Sequence, residues 1–108
     1  MRKVLGKIKS AEFGRISDYP MYIGLLLTFS LSDGGVVGDG GKHCVNASSE
    51  CKWENEDKGE TYIKAVTDTY KTLVDAKVMS VSELINVLVE VTLDGNMFKD
   101  FRILTEVL

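Results

Sequence analysis

Three features of the sequence predict an α+β fold: an antiparallel sheet of four to five strands with one long helix packed on one face. Met21–Leu31 places an apolar residue at every second position, the period of a strand with a buried face. Asn55 to about Lys77 carries one apolar stripe at 3–4 spacing, the period of a helix with one buried side. Two further apolar segments flank Asp94-Gly95-Asn96, which is a hairpin turn signal. In chain order the elements run β-β-(β)-α-β-β, and a single striped helix covers one face of such a sheet. The 108 residues suit a single domain, 1–108.

Residues 3–13 predict the first strand, with Val4, Gly6 and Ile8 on one parity and Lys3, Lys7 and Lys9 on the other. The parity blurs by Ala11 and Phe13, which places a bulge near Ser10. Gly14–Pro20 is a connection, with Ser17, Asp18 and the only proline as turn formers. In the second strand Ile23, Leu25, Leu27, Phe29 and Leu31 form the core face, and Leu26 marks partial cover on the other. Asp33–Lys42 is a glycine-rich loop: five of the ten glycines lie between Gly34 and Gly41. A short strand follows, from about Lys42 to Asn46.

Asn55 is placed to cap the helix, and Glu56, Asp57 and Glu60 suit the positive end of its dipole. Ile63, Val66, Tyr70, Leu73 and Val74 are the expected buried stripe, with Lys64, Asp68, Lys71 and Asp75 on the solvated side. Trp53, two residues before the cap, is expected to pack back on the start of the helix. Ser80-Val81-Ser82-Glu83 has capping-box spacing and opens a one-turn helix through about Ile85. Val89, Val91 and Leu93 form the inner face of the next strand, and Met97–Val107 returns beside it.

Composition excludes several classes of function. With 13 basic and 16 acidic residues the net charge is −3, too weak and too mixed for a DNA mimic. The basic residues Arg2, Lys3, Lys7, Lys9 and Arg15 cluster in the first strand without interleaved aromatics, so they read as lysines guarding a sheet edge and not as a nucleic-acid surface. Two cysteines, Cys44 and Cys51, are too few for a stapled secreted scaffold. No apolar signal core follows the basic start, and Met21–Leu31 falls well short of the roughly 20 residues of a membrane helix. A cytoplasmic protein with no membrane partner is expected.

The candidate ligand-binding set is Gly38, Asp39, Gly40, Gly41, Lys42 and Arg102. Glycines let backbone N–H groups close around an anion, Lys42 adds charge, and a guanidinium at Arg102 suits a phosphate or carboxylate. Neither GxGxxG nor GxxxxGK[ST] is present, so a plain connection with tight turns remains the alternative. Arg102 shares its parity with Asp100 and Glu106, and a surface ion pair is the alternative there. His43, Cys44 and Cys51 lack a fourth ligand, and adjacent strand residues point apart, so no metal site is expected. Asp33 and Asp39 lack the further oxygens of a calcium loop. For an enzyme, His43 and Cys51 are the only polar actors; no catalytic residue and no cofactor is assigned.

Ile8-Lys9-Ser10-Ala11-Glu12-Phe13-Gly14, then Asp18-Tyr19 and an apolar strand, Gly38-Asp39-Gly40-Gly41, Cys51-Lys52-Trp53 and the closing Phe98-Lys99-Asp100-Phe101-Arg102-Ile103-Leu104-Thr105-Glu106-Val107-Leu108 resemble small proteins encoded in phages and prophages of Gram-positive bacteria. The likeness covers nearly the whole chain, the closing segment being its most distinctive part, and it carries no catalytic residues with it. It implies a phage accessory product acting inside a bacterial cell, where such products counter host defences by binding a defence protein or sequestering its signalling nucleotide. The leading expectation is therefore a non-enzymatic binding protein, occupying a host protein or a small anionic ligand and able to form a homo-oligomer. The alternative is a small enzyme or structural oligomer using the glycine-rich loop.

Leu27→Asp places a charge at the centre of the best core strand, and it is expected to abolish cooperative thermal unfolding as followed by circular dichroism. A variant that melts like the parent refutes the strand assignment.

Overall fold

The computed structural model of the chain describes residues 1–47 and 58–107. Its sheet contains β1 (Arg2–Arg15), β2 (Tyr22–Leu31), β3 (Val36–Gly38), β4 (His43–Asn46), β5 (Leu88–Asp94) and β6 (Met97–Ile103). The lateral order is β3-β2-β1-β5-β6, all antiparallel, and β4 also pairs β2. One helix, α1 (Lys58–Ala76), packs on one face. The fold is α+β with six strands. One more forms than expected because the β-branched pair Val36-Val37 makes a strand inside the glycine-rich stretch.

β1 lies between β2 and β5, so its lysines guard no edge. Lys3 and Lys7 stand on the sheet face away from the core, where Lys3 reaches Glu90 at 3.9 Å, while Arg2, of the opposite parity, reaches Asp33 at 3.6 Å. The β1–β2 register shifts between Ile8 and Ser10. That bulge lets both Ile8 and Ala11 enter the core although their parities differ. Strand β1 also runs two residues into the expected connection.

β3 and β4 form one interrupted edge strand along β2. Gly38 pairs with Thr28 and His43 with Leu25, so four residues, 39–42, stand opposite two. The excess bulges outward and places Gly38–Lys42 at the rim. Gly24 permits the β4 half to close, because a Cβ there would collide with the carbonyl of His43 and the Cα of Cys44.

The sheet curls strongly. Phe29 on β2 stacks on Phe98 of β6 with ring centroids 5.5 Å apart and meets Phe101 at a tilt of 44°, centroids 5.0 Å apart. Three strand spacings in a flat sheet would separate β2 from β6 by about 14 Å. The aromatic rings thus fill the concave side, with Ile8, Leu25, Leu27, Val89, Val91, Leu93 and Ile103 around them. Leu84, in the short 3-10 turn Val81–Leu84, closes the β1–β5 end and is fully buried. The Glu83 carboxylate holds that turn, accepting the N–H groups of Ser80 and Met79 at 2.9 and 2.8 Å.

The helix is rotated relative to the expected stripe. Ile63, Val66, Tyr70 and Val74 are 66, 63, 67 and 52% exposed, whereas Ala65, Thr72 and Ala76 are buried and Leu73 is half-buried. The rings already occupy the space under α1, leaving room only for short side chains. Thr69 and Thr72 meet this need by donating to the carbonyls of Ala65 and Asp68, at 2.9 and 2.8 Å. Asp68, expected outside, turns toward β4. The helix ends at Ala76 with Lys77 at φ 59° and Val78 N–H donating to Leu73 O at 3.0 Å, a Schellman closure. The expected cap Asn55 and the packing of Trp53 lie outside the described residues.

The second hairpin forms as expected, although β6 ends at Ile103 and Thr105–Val107 is a 3-10 turn, not a strand. No helix among the described residues is long and apolar enough to cross a membrane.

Candidate functional site

The bulge at residues 39–42 lifts the edge strand away from β2 and leaves Leu27 N–H without its ladder acceptor. Asp39 supplies one. Its Oδ2 accepts Leu27 N–H at 3.2 Å, its Oδ1 accepts Gly41 N–H at 3.0 Å, and its own N–H donates to Leu27 O at 3.0 Å. The side chain is consequently buried, at 5% exposure. Gly40 and Gly41 adopt φ of +67° and +77°, which bend the chain back onto that carboxylate. The loop does cradle an anion, and that anion is the protein's own. Burial raises the Asp39 pKa from its ordinary value, against the opposing pull of the Gly41 and Leu27 N–H groups.

Beside the loop stands the tip of the β1–β2 hairpin. Ile16 N–H donates to Tyr22 O at 3.2 Å, Tyr22 N–H to Tyr19 O at 2.9 Å, and the Arg15 guanidinium to Pro20 O at 2.9 Å. These bonds hold Tyr19 and Tyr22 edge to face at 6.4 Å. Between tip and loop runs a cleft of about 530 Å³, lined by Ile16, Tyr19, Leu26, the Ser10–Thr28 hydroxyl pair, Gly38–Gly41 and the acids Glu12, Asp18 and Asp39. A second concavity of about 300 Å³ shares Ile16, Tyr19, Gly40 and Gly41 and adds Tyr22. Among the described residues no lysine or arginine lines either one.

The six candidate residues do not share one site. Gly38, Asp39, Gly40 and Gly41 line the hairpin cleft, while Lys42 and Arg102 line a separate cleft of about 310 Å³ between α1 and β6. Lys42 Nζ lies 2.9 Å from Asp100 Oδ1 and donates to Lys99 O at 3.2 Å. Arg102 bonds Glu90 at 3.2 Å and Glu106 at 3.1 Å; those two carboxylates raise its pKa, Glu106 first. Both cationic heads are thus engaged within the chain.

His43 is directed toward the helix. Its Nδ1–H donates to Asp68 Oδ2 at 3.1 Å, and Lys64 Nζ reaches the same oxygen at 2.7 Å. The imidazole packs edge to face on Phe101 at 6.2 Å, and its Nε2 is buried without a hydrogen-bond partner among the described residues. Cys44 is paired in register with Gly24 and is half-buried, and as the strand neighbour of His43 it projects to the other face; Cys51 lies outside the described residues. Among the described residues no group of three His, Cys, Asp or Glu side chains is arranged to hold a metal.

Sequence reasoning missed Glu12, Ile16, Tyr19 and Tyr22, which it had assigned to a strand or a connection. Two tyrosines flanking the only proline were the available signal, since aromatic residues in a turn gain little from exposure. Comparison with known proteins yields no match to a family model, a curated protein or a solved structure.

Two predictions follow from the loop and its neighbours. Gly40→Val is expected to lower stability by about 1–2 kcal/mol through the left-handed backbone alone, because a Cβ there meets open space; Gly40→Asn should cost less in the same denaturant titration. Acid sensitivity divides by sign. Burial would raise Asp68 and Asp100, but hydrogen bonds outweigh it, from Lys64 and His43 on Asp68 and from Lys42 and Phe101 N–H on Asp100, so both lie below the ordinary 3.8. Their contribution is complete above the unfolded value and is lost as pH falls through the depressed folded values. Asp39 runs oppositely: its contribution is complete below 3.8 and fades as pH rises through the raised folded value. Asp100→Asn is therefore expected to show a shallower fall in melting temperature between about pH 5 and about pH 3 than the parent. An unchanged slope refutes the assignment.

Proposed function

We propose that the chain is a non-enzymatic binding protein, a phage accessory product that occupies a protein of its bacterial host through the cleft between the β1–β2 hairpin tip and the Gly38–Gly41 loop. The lining of that cleft and of the concavity beside it carries the proposal: exposed Tyr19 and Tyr22, three carboxyl groups and, among the described residues, no cation. An anionic ligand would meet like charge there, whereas a protein surface presenting lysine or arginine among apolar side chains meets complementary charge and aromatic faces. Tyrosine supplies large contact area with little rotamer entropy to lose, which suits a docking surface.

Sequestration of a small anion has one observation on its side: Lys42, Lys64, Lys71 and Arg102 all line the α1–β6 cleft. Apart from Lys71, those cations are already held, and a ligand reaching them must displace Asp100 from Lys42, Asp68 from Lys64, or Glu90 and Glu106 from Arg102, which weakens its net gain. No nucleophile–base pair among the described residues supports an enzyme.

Native mass spectrometry of the protein purified from a Gram-positive host tests this reading. A stoichiometric host-protein complex is expected, and the double reversal Glu12→Lys/Asp18→Lys should abolish it while leaving the circular dichroism spectrum unchanged. Co-purified nucleotide without a protein partner, or a complex indifferent to the reversal, refutes it.

A further inference from the structure

We infer that the cleft between α1 and β6 takes an extended peptide segment of another protein. The segment adds a strand to the free edge of β6 and carries one acidic and one basic residue two positions apart. The inference does not rest on the hairpin-cleft reading, which concerns other residues.

Main-chain pairing along β6 alternates, and its phase is fixed. Leu104 N–H donates to Leu88 O at 3.1 Å, so Leu104 and, two residues back, Arg102 turn their main-chain groups to β5. Phe101 and Ile103 stand opposite Val91 and Val89 in the intervening positions, and their N–H and C=O groups turn the other way. Among the described residues no strand pairs on that side. Two side chains close the start of this edge: Lys42 Nζ donates to Lys99 O at 3.2 Å, and Asp100 Oδ1 accepts Phe101 N–H at 2.8 Å. Phe101 C=O and Ile103 N–H are left without a partner among the described residues.

The cleft follows these two groups. Asp100 and Arg102 lie on one face of β6, Phe101 and Ile103 on the other. A cleft bordered by all four and by α1 therefore runs along the free edge. An open strand edge flanked by a helix holds a peptide through main-chain bonds, and alternate side chains of the peptide supply specificity.

The charges on the helix wall select that peptide. Lys42 holds Asp100, Lys64 holds Asp68, and Arg102 holds Glu90 and Glu106. Of the charged side chains bordering the cleft, Lys71 and Asp75 have no ion-pair or hydrogen-bond partner among the described residues. They come just after Asp68, which His43 joins to the level of Phe101. One helical turn, about 6 Å along the axis, separates them. On an added strand, the residues beside Phe101 and Ile103 both point to the α1 side and lie about 7 Å apart. One acidic and one basic residue at those positions meet Lys71 and Asp75 without displacing any existing ion pair.

The test is a nuclear magnetic resonance titration of the isotope-labelled full chain. The probes are acetylated, amidated heptapeptides in a strand-forming threonine background, Thr-Thr-Glu-Thr-Lys-Thr-Thr and Thr-Thr-Lys-Thr-Glu-Thr-Thr. One of the two orders, set by the direction of the added strand, is expected to bind with a dissociation constant between about 0.1 mM and about 2 mM. Binding should shift the Phe101 and Ile103 amide resonances and slow exchange of Ile103 N–H. Counterparts with two glutamates or two lysines should bind about 5-fold more weakly. N-methylation of the three central residues removes the donors to Phe101 O and should abolish binding. Lys71→Glu/Asp75→Lys should reverse which order binds more tightly, with unchanged circular dichroism. Glu12→Lys/Asp18→Lys should alter none of this, which separates failure here from failure of the hairpin-cleft reading. The inference is overturned if neither order binds at about 5 mM peptide, or if the shifts fall outside β6 and α1. Binding indifferent to N-methylation, or an order preference that the charge exchange does not reverse, overturns it equally.

Discussion

The contact between Phe29 and the two rings of β6 is the constraint from which most of this architecture follows. Rings on strands three positions apart meet only if the sheet curls, and the energy of burying three aromatic side chains favours that curl. Curling carries β6 toward the β3–β4 rim, bringing Asp100 within reach of Lys42 and Phe101 against His43. It also fills the concave side from the sheet itself. The helix is left with a shallow seat that admits alanines and threonines, and its larger apolar side chains have nowhere to go but outward.

The same constraint separates what was legible in the sequence from what was not. Alternation in β2 and β5 read correctly because strand parity is local: Leu25, Leu27, Phe29, Val89, Val91 and Leu93 are buried whatever lies above them. The bulge near Ser10 showed as a broken parity for the same reason. The orientation of α1 is a tertiary property. A hydrophobic stripe identifies a helix and its period, but which side faces the sheet depends on the space that Phe98 and Phe101 leave, and those residues come some 30 positions later in the chain. The central position of β1 was hidden likewise, because its partner β5 lies at the far end of the chain.

Around the glycine-rich stretch, sequence identified the place and mistook the chemistry. Clustered glycines do mark a turn with left-handed residues, but the edge-strand bulge gives Asp39 an internal task as the missing acceptor for Leu27. A carboxylate committed to two backbone donors organises the loop as a bound anion would. This arrangement explains why the neighbouring cleft is acidic and why Lys42 points away to β6. The aromatic half of the cleft comes from a hairpin whose residues are far from the loop in sequence and meet it only because β4 pairs beside β2.

The central place of β1 bears on how the protein is made. This strand leaves the ribosome before both of its neighbours, β2, complete by residue 31, and β5, which begins at residue 88. Until β5 emerges, one edge of β1 and its apolar residues Val4 and Ile8 lack their cover, and the aromatic cluster cannot close before Phe101 is synthesised. Sheet completion is thus deferred until β5 and β6 have been made, a long-range closure of the kind that slows folding and exposes strand edges. Lys3, Lys7 and Lys9 place positive charge along that open edge, which disfavours its pairing with the strand of another chain.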